Sequence, residues 1–368
     1  MPAITILSGG VPVAVIDAFT QMEWTRPYRK PGTFSVQIPS TAPAIAEIVK
    51  GRIVLPPDST IVYLIEQILR ENEDGSPAEL WTVSGRDLGG FLQERLCLPT
   101  AGQAHDAQVA VAAESAMKHY VSGNAGPGAA SARKMPGLTV AADLGRGATV
   151  TMKARYDVLA DMLETIGAIA AMGWQVTSLS GGYIFDVIPG VDRSASVFFD
   201  TTFDTTTGQS WLSSDVDTKS YIYVGGQGLG AARSIVERYT GALVPTGLAR
   251  RELFQDARDL PDTASLTTRG DAVLAGLAPT DRFEVQVAQG GSFQYRRDWD
   301  LGDLVTIRNV AWGLSQAARI VAVAATITPE SALPRIAVTL DRPFPTLKDA
   351  MTNRDDGNGA AFGAVDTA

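Results

Sequence analysis

Short runs rich in apolar and β-branched residues, each closed by Gly, Pro, Asp or Asn, recur through the first hundred residues and again beyond Asp200. This punctuation fits small antiparallel barrels or sandwiches better than a doubly wound sheet, whose strands alternate with long amphipathic helices. Strands are expected over Ile4 to Leu7, Pro12 to Ile16, Gly32 to Ile38, Ile61 to Arg70 and Glu79 to Ser84, with Glu71-Asn-Glu-Asp-Gly75 turning the last two into a hairpin. Ala42 to Lys50 reads as a short helix closed by Gly51, and Asp87 to Leu96 repeats the device.

From about Ala101 the composition shifts to Ala and Gly, which marks a domain boundary. A helix is expected near Gln108 to Tyr120. Leu159, Met162 or Leu163, Ile166, Ile169 and Met172 share one face of a second helix ended by Gly173. Trp174 to Leu179 and Tyr183 to Ile188 then read as a hairpin around Ser180-Gly-Gly182. Strands return at Ser220 to Val224, Phe283 to Ala288, Phe293 to Arg296, Leu304 to Ile307, Ala318 to Ile327 and Arg335 to Leu340. They are interrupted by a helix over Thr268 to Leu277 with Thr267 or Thr268 as its cap. The fold class is mainly β with α+β inserts. The expected division is a β domain over 1–100, an α+β insert over 101–200, a second β domain over 201–235 and 295–345, a second insert over 236–294 and a tail over 346–368, poor in large apolar residues.

Composition narrows the function. The chain has 31 basic against 40 acidic residues, a net charge of −9, which gives phosphate no general attraction and disfavours a dedicated nucleic-acid binder. One cysteine, Cys97, and two histidines, His105 and His119, leave neither a disulfide nor the usual metal ligands, and Cys97 reads as a small buried residue. No catalytic, cofactor-binding or metal-ligating residue is assigned. Apolar runs such as Ile166 to Val176 are far shorter than the roughly 20 residues a membrane span needs. The start Met-Pro-Ala-Ile-Thr lacks a basic region followed by an apolar block, so no signal peptide is expected.

Two chemical motifs compete with simpler readings. Gly226, Gly228 and Ala231 fit G-x-G-x-x-A after a strand, and Glu252 lies near the spacing of a ribose-binding acid. Ala249-Arg-Arg-Glu252-Leu-Phe does not read as a strand, however, and the alternating β and α units of a nucleotide fold are missing, so a Gly-rich bend is the simpler reading. Glu71, Glu73 and Asp74, and Asp298, Asp300 and Asp303, could supply the carboxylate pair of a peptidoglycan hydrolase. Both groups sit in turns, where solvated Asp and Glu are ordinary. Trp24, Trp81, Trp174, Trp211, Trp299 and Trp312 lie in or beside apolar runs and read as packing residues rather than a sugar-binding stack.

Glu23-Trp24-Thr-Arg26-Pro-Tyr28-Arg-Lys-Pro31-Gly32-Thr-Phe34 resembles the N-terminal signature of the baseplate or tail hub proteins of long-tailed bacteriophages, of the siphophage Gp37-like, tail-associated type. Later landmarks follow in the same order: Lys50-Gly-Arg52, Val62-Tyr-Leu-Ile65-Glu66, Gly85-Arg86-Asp87-Leu88, Gly225-Gly226-Gln-Gly228 with Arg233, Arg250-Arg251-Glu252-Leu-Phe254, and Asp300-Leu-Gly302-Asp303. The resemblance implies two small β-barrel domains that form a tube-like ring in a homotrimer, with two peripheral α+β domains. It further implies contacts to a distal tail protein ring, a tape measure protein and a central fibre or spike, and DNA passing through without sequence-specific binding. Its location would be the virion tail tip after synthesis in the host cytoplasm. Relatives with lytic domains extend further than this chain, so no enzyme activity is expected, and Phe344 and Leu347 are the expected fibre contacts. The alternatives are a tail-associated peptidoglycan hydrolase and a nucleotide-binding enzyme using the Gly226 loop.

Overall fold

The computed structural model describes residues 2–57, 59–72, 79–179, 181–203, 205–258, 260, 262–288, 291–331 and 333–341. They divide into two compact units, one made of Met1–Gln209 and Glu284–Pro343 and one centred on Ser210–Phe283. The protein is mainly β.

The first unit opens with β1 (Ile4–Ser8), β2 (Val11–Ile16), β3 (Gln21–Pro27), β4 (Thr33–Pro39), β5 (Ile53–Leu55), β6 (Tyr63–Leu64), β7 (Gln67–Glu71) and β8 (Leu80–Arg86). Period-two burial explains them: β3 buries Met22, Trp24 and Arg26, and β4 buries Phe34, Val36 and Ile38, with polar residues between. β3 was not among the expected strands, although Gln21-Met-Glu-Trp24-Thr-Arg26 alternates as strictly as β4. The expected strand over Ile61 to Arg70 is broken at Ile65 and Glu66 into β6 and β7.

Both short helices of this region are corrected. Only a 3-10 turn at Ile45–Glu47 forms, because Ala44 adopts the left-handed region at φ 60° directly after Pro43, which has no N–H to donate. Leu88–Glu94 is also 3-10, its Gly89 pressed so close to Trp174 that a Cβ would lie 2.9 Å from the indole.

The insert comprises β9 (Asp106–Ala112), α1 (Ala113–Asn124), β10 (Leu138–Val140), β11 (Thr149–Ala154), α2 (Leu159–Ala170), β12 (Gly173–Leu179) and β13 (Gly182–Ile188). The helix expected from Gln108 begins only at Ala113, since the residues before it pair with β11 as a strand. The β12–β13 hairpin forms as the turn residues predict, and α2 forms on its expected stripe but ends at Ala170, where Ala171 turns left-handed at φ 52°, with Ile169 exposed and Gly173 opening β12 instead of closing the helix. One core joins Met117, Tyr120, Leu163, Ile166, Trp174 and Phe185 to Leu7, Leu92 and the fully buried Cys97.

β14 (Phe198–Asp200) follows, and β15 (Thr206–Ser214) leads into the second unit. There β16 (Tyr221–Gly225) lies between antiparallel β17 (Ile235–Tyr239) and parallel β18 (Glu252–Asp256), with α3 (Thr263–Gly276) covering one face through Leu266 and Leu274 on Ile222 and Val224. α3 starts before the expected Thr268 and is capped by Asp262, whose Oδ1 accepts from the Ser265 N–H at 2.8 Å. Thr267 and Thr268 instead donate back to Thr263 and Ala264 carbonyls.

β19 (Thr280–Val287) returns to the first unit, followed by β20 (Leu304–Asn309), β21 (Leu314–Ile327) and β22 (Arg335–Asp341). Phe293 to Arg296 is not a strand, because Arg296 turns left-handed at φ 66°. One sheet runs β15-β19-β22-β21-β3-β4-β8-β7, with β20 bridging β21 to β14. Among the described residues this path is open, and its pairings close no barrel. A smaller sheet, β2-β1-β5-β6, accompanies it. No described helix is long and apolar enough to cross a membrane.

Candidate assembly surface

The long sheet has two different faces. One is the apolar core; the other is a ladder of small and polar residues. The pairing register aligns Arg335, Thr326, Glu23, Ser35, Ser84 and Gln67 in one row across five interstrand boundaries. A neighbouring row holds Ala337, Ala324 and Thr25, and another holds Gln21, Gln37, Thr82 and Leu69. The charges on this face from β22 to β7 are Glu23, Glu71 and Asp341 against Arg335, Arg319 and Arg86; Arg319 donates to the Gly302 carbonyl at 2.5 Å, and Arg86 is bound by Glu66 at 2.6 Å and Glu94 at 3.1 Å. A face of this composition offers phosphate no row of free cations. The path ends in two strands, β7 and β15, that each have one neighbour in the sheet. Such ends present unpaired backbone N–H and C=O groups to any strand of matching length.

The N-terminal motif residues are joints of this sheet. Trp24 is buried and lines a 270 Å³ cavity with Tyr295, Pro334 and Ile336. Arg26, 8% exposed, reaches Asp300 at 3.0 Å, donates to Gln175 Oε1 at 3.1 Å and also contacts Tyr295. It thereby ties β3 to the turn before β20 and to the insert hairpin. Tyr28 donates its hydroxyl to the Ile188 carbonyl at 2.8 Å and lies within 3.1 Å of that of Ala171. Gly173 and Gly302 make room for its ring: a Cβ on either would stand 2.2 or 2.4 Å from it. Phe34 stacks obliquely on Tyr63, with ring centroids 5.5 Å apart.

Gly32 and Gly85 are close-approach positions, where a Cβ would meet the Thr25 carbonyl at 2.0 Å and the Leu64 carbonyl at 1.9 Å. The Gly32 N–H donates to Asp87 Oδ2 at 2.5 Å, while Asp87 Oδ1 is enclosed without a hydrogen bond. Burial pushes the Asp87 carboxyl up to about 7, against the opposing pull of that N–H. Asp303 is buried, accepting from the Val191 N–H at 2.8 Å and from Arg193 at 2.7 Å, and so fastens β20 to the end of the insert.

The second-unit motif forms a separate group. Gly225 ends β16 beneath Arg233 and Phe254, and Gly226 packs under Leu266, each with a hypothetical Cβ 2.7 Å from its neighbour. The Arg251 N–H donates to the Ser220 hydroxyl oxygen at 2.9 Å, and its guanidinium contacts the Asp215 carbonyl. Glu252 pairs with Arg250. Contrary to the sequence reading, Glu252 does begin a strand, β18, parallel to β16. The Gly226–Gly228 loop nevertheless leads into a 3-10 turn at Gly230–Ala232 and then β17, so no α-helix N-terminus faces it as a pyrophosphate would need.

The other carboxylates have structural partners too: Asp298 pairs with Arg297, Asp300 with Arg26 and Asp303 with Arg193. Glu73, Asp74, Phe344 and Leu347 lie outside the described residues. Trp24, Trp81, Trp174 and Trp299 are buried. Among the described residues no three His, Cys, Asp or Glu side chains gather as a metal site would require. Tyr295, Gln175 and Gly173 complete the Arg26 and Tyr28 joints but were not singled out in sequence, because nothing local marks a residue whose partner lies more than a hundred positions away.

No curated protein matches this chain. Among solved structures, the 43 kDa tail protein of prophage MuSo2 from Shewanella oneidensis matches with a TM-score of 0.56 at 14% identity, covering 95% of this chain and 99% of its own. The tail protein from Neisseria meningitidis MC58 matches with 0.53 at 14%, with the same coverages. At that identity the likeness is one of fold. The family described as Siphovirus ReqiPepy6 Gp37-like protein matches residues 12–340, and with nearly the whole described chain inside that match, the protein belongs to this phage tail family.

Proposed function

We propose that the protein is the homotrimeric hub of a phage tail tip, a structural component without enzymatic activity. The observation that carries this reading is the open sheet with a free strand at each end. A contact between two different edges is heterologous, and such contacts close into a ring when the rotation between copies allows it. β15 of one copy against β7 of the next would join the sheets of three copies into one closed tube. The barrels expected from sequence would then be completed between subunits, with the ladder of Thr, Ser, Ala and Gln facing the lumen. A lumen without a row of free cations lets DNA slide through instead of holding it.

In this reading the strands of the long sheet build the tube, which takes β16 out of the tube domain expected over 201–235 and brings β19 in from the insert expected over 236–294, while the insert at 101–200 lies outside it. The ring meets the distal tail protein and the tape measure protein on one side and a fibre or spike on the other. The tail, with Phe344 and Leu347 as its anchors, is the proposed fibre contact, and deleting residues 348–368 should weaken fibre attachment. The tail tip of the virion is the proposed location, after synthesis in the host cytoplasm.

Light scattering of the purified chain over a range of concentrations tests the assembly. A mass near three times 38.9 kDa is expected, and a dimer stable at every concentration would refute the hub.

A further inference from the structure

The second unit has a face that the hub reading does not use. α3 covers one side of the β17-β16-β18 sheet, and on the other side Ile235, Tyr239 and Phe254 are exposed around Tyr221, which is buried beneath Arg250. The register builds a small grid there. Tyr239, Tyr221 and Glu252 form one row, and Glu237, Tyr223 and Phe254 form the next. The exposed rings, Tyr239 at 38% and Phe254 at 53%, occupy one diagonal, and the two carboxylates occupy the other.

The grid is held rigidly. Tyr221 and Tyr239 stack at 6.1 Å and 14°. Arg250 lies flat on Tyr221 at 3.5 Å, binds Glu252 at 2.5 Å and donates to the Tyr223 hydroxyl at 2.8 Å. Arg233 lies beside Phe254 at 5.3 Å and binds Asp256 at 2.6 Å, in the space that the missing side chain of Gly225 leaves. Tyr221 donates to Glu237 through Oε2, and Arg250 and Tyr223 use Glu252 Oε1. Glu237 Oε1 and Glu252 Oε2 therefore keep open acceptor positions among the described residues.

These features specify a ligand. Flat exposed rings take the apolar face of a flat molecule, and fixed carboxylate oxygens accept from hydroxyl groups at its edges. The charges at this face are Glu237, Glu252 and Asp256 against Arg233, Arg250 and Arg258, and all three arginines are paired with these carboxylates, so phosphate or another anion gains nothing. β17 and β18 flank β16, which places the two exposed rings about 10 Å apart across the sheet, further than one sugar ring reaches. We propose that this face binds an uncharged linear oligosaccharide running diagonally from Tyr239 to Phe254.

The test is calorimetric titration of the whole chain with linear hexasaccharides of glucose, N-acetylglucosamine and mannose. Saturable binding of at least one is expected, weakened roughly tenfold by Tyr239→Ala and by Phe254→Ala, with the folded circular dichroism spectrum unchanged because neither ring belongs to the core under α3. Glu252→Gln should weaken it less, since the amide keeps one acceptor oxygen. The proposal fails if none of the three sugars binds saturably, or if binding survives both ring substitutions. It also fails if the face takes a single-stranded oligonucleotide instead, or if the ring substitutions change the mass in solution, which would make it a protein contact. The mass of the wild-type chain tests the hub separately, so either idea can fall alone.

Discussion

At the scale of single residues, the N-terminal motif is a set of joints. Gly32 shows why. Its position against the Thr25 carbonyl leaves no space for a methyl group, so Gly32→Ala should cost about 3 kcal/mol or more in urea unfolding. The neighbouring Asp87 gives a pH signature. Its folded carboxyl titrates near 7 and an unfolded one near 4, so between these values the folded state holds the extra proton. Its contribution to stability is thus present at low pH, falls as pH rises from about 4 to 7, and is lost above. Asp87→Asn keeps an acceptor for the Gly32 N–H and removes the titration. The substituted protein should lose less melting temperature than wild type between pH 5 and pH 8.5, and equal losses would refute the assignment. Arg26, Tyr28, Gly32, Asp87 and Asp303 were legible in sequence as a pattern. Their chemistry was not, because each acts through partners that only the fold brings close.

At the scale of elements, the strongest local signals were read correctly and the weak edges were missed. The α2 stripe and the β12–β13 hairpin are specified by neighbours in sequence, as periodicity and turn residues require. β15, β17 and β18 are strands because the sheet recruits them: Ile235-Val-Glu-Arg-Tyr239 and Glu252-Leu-Phe-Gln-Asp256 carry charges that local propensity assigns elsewhere. Ala44 shows the reverse, a good helix former forced out of helix by the turn it occupies. If β7 is the strand that docks the next copy, a charge at its exposed Leu69 should prevent docking without disturbing the core. Leu69→Lys is expected to shift the light-scattering mass towards that of one chain while circular dichroism stays unchanged, and a mass equal to wild type would acquit this edge.

At the scale of the whole molecule, copies carrying −9 each repel one another. Screening relaxes that repulsion, so if the protein assembles as proposed, its trimer fraction at fixed concentration should rise between about 20 mM and 200 mM salt, measured by sedimentation, whereas ion-pair seams would loosen. The pairing of β3 with β21 has a further consequence, in time instead of space. Met22 lies opposite Ile327 and Pro27 opposite Ala322, so β3 finds this neighbour only after some three hundred further residues have been made. Until then β3 is a bare edge on a nascent chain, and folding must wait on the slowest kind of contact, one closing a loop of some three hundred residues. Chains cut short before Leu314 would leave that edge open for good.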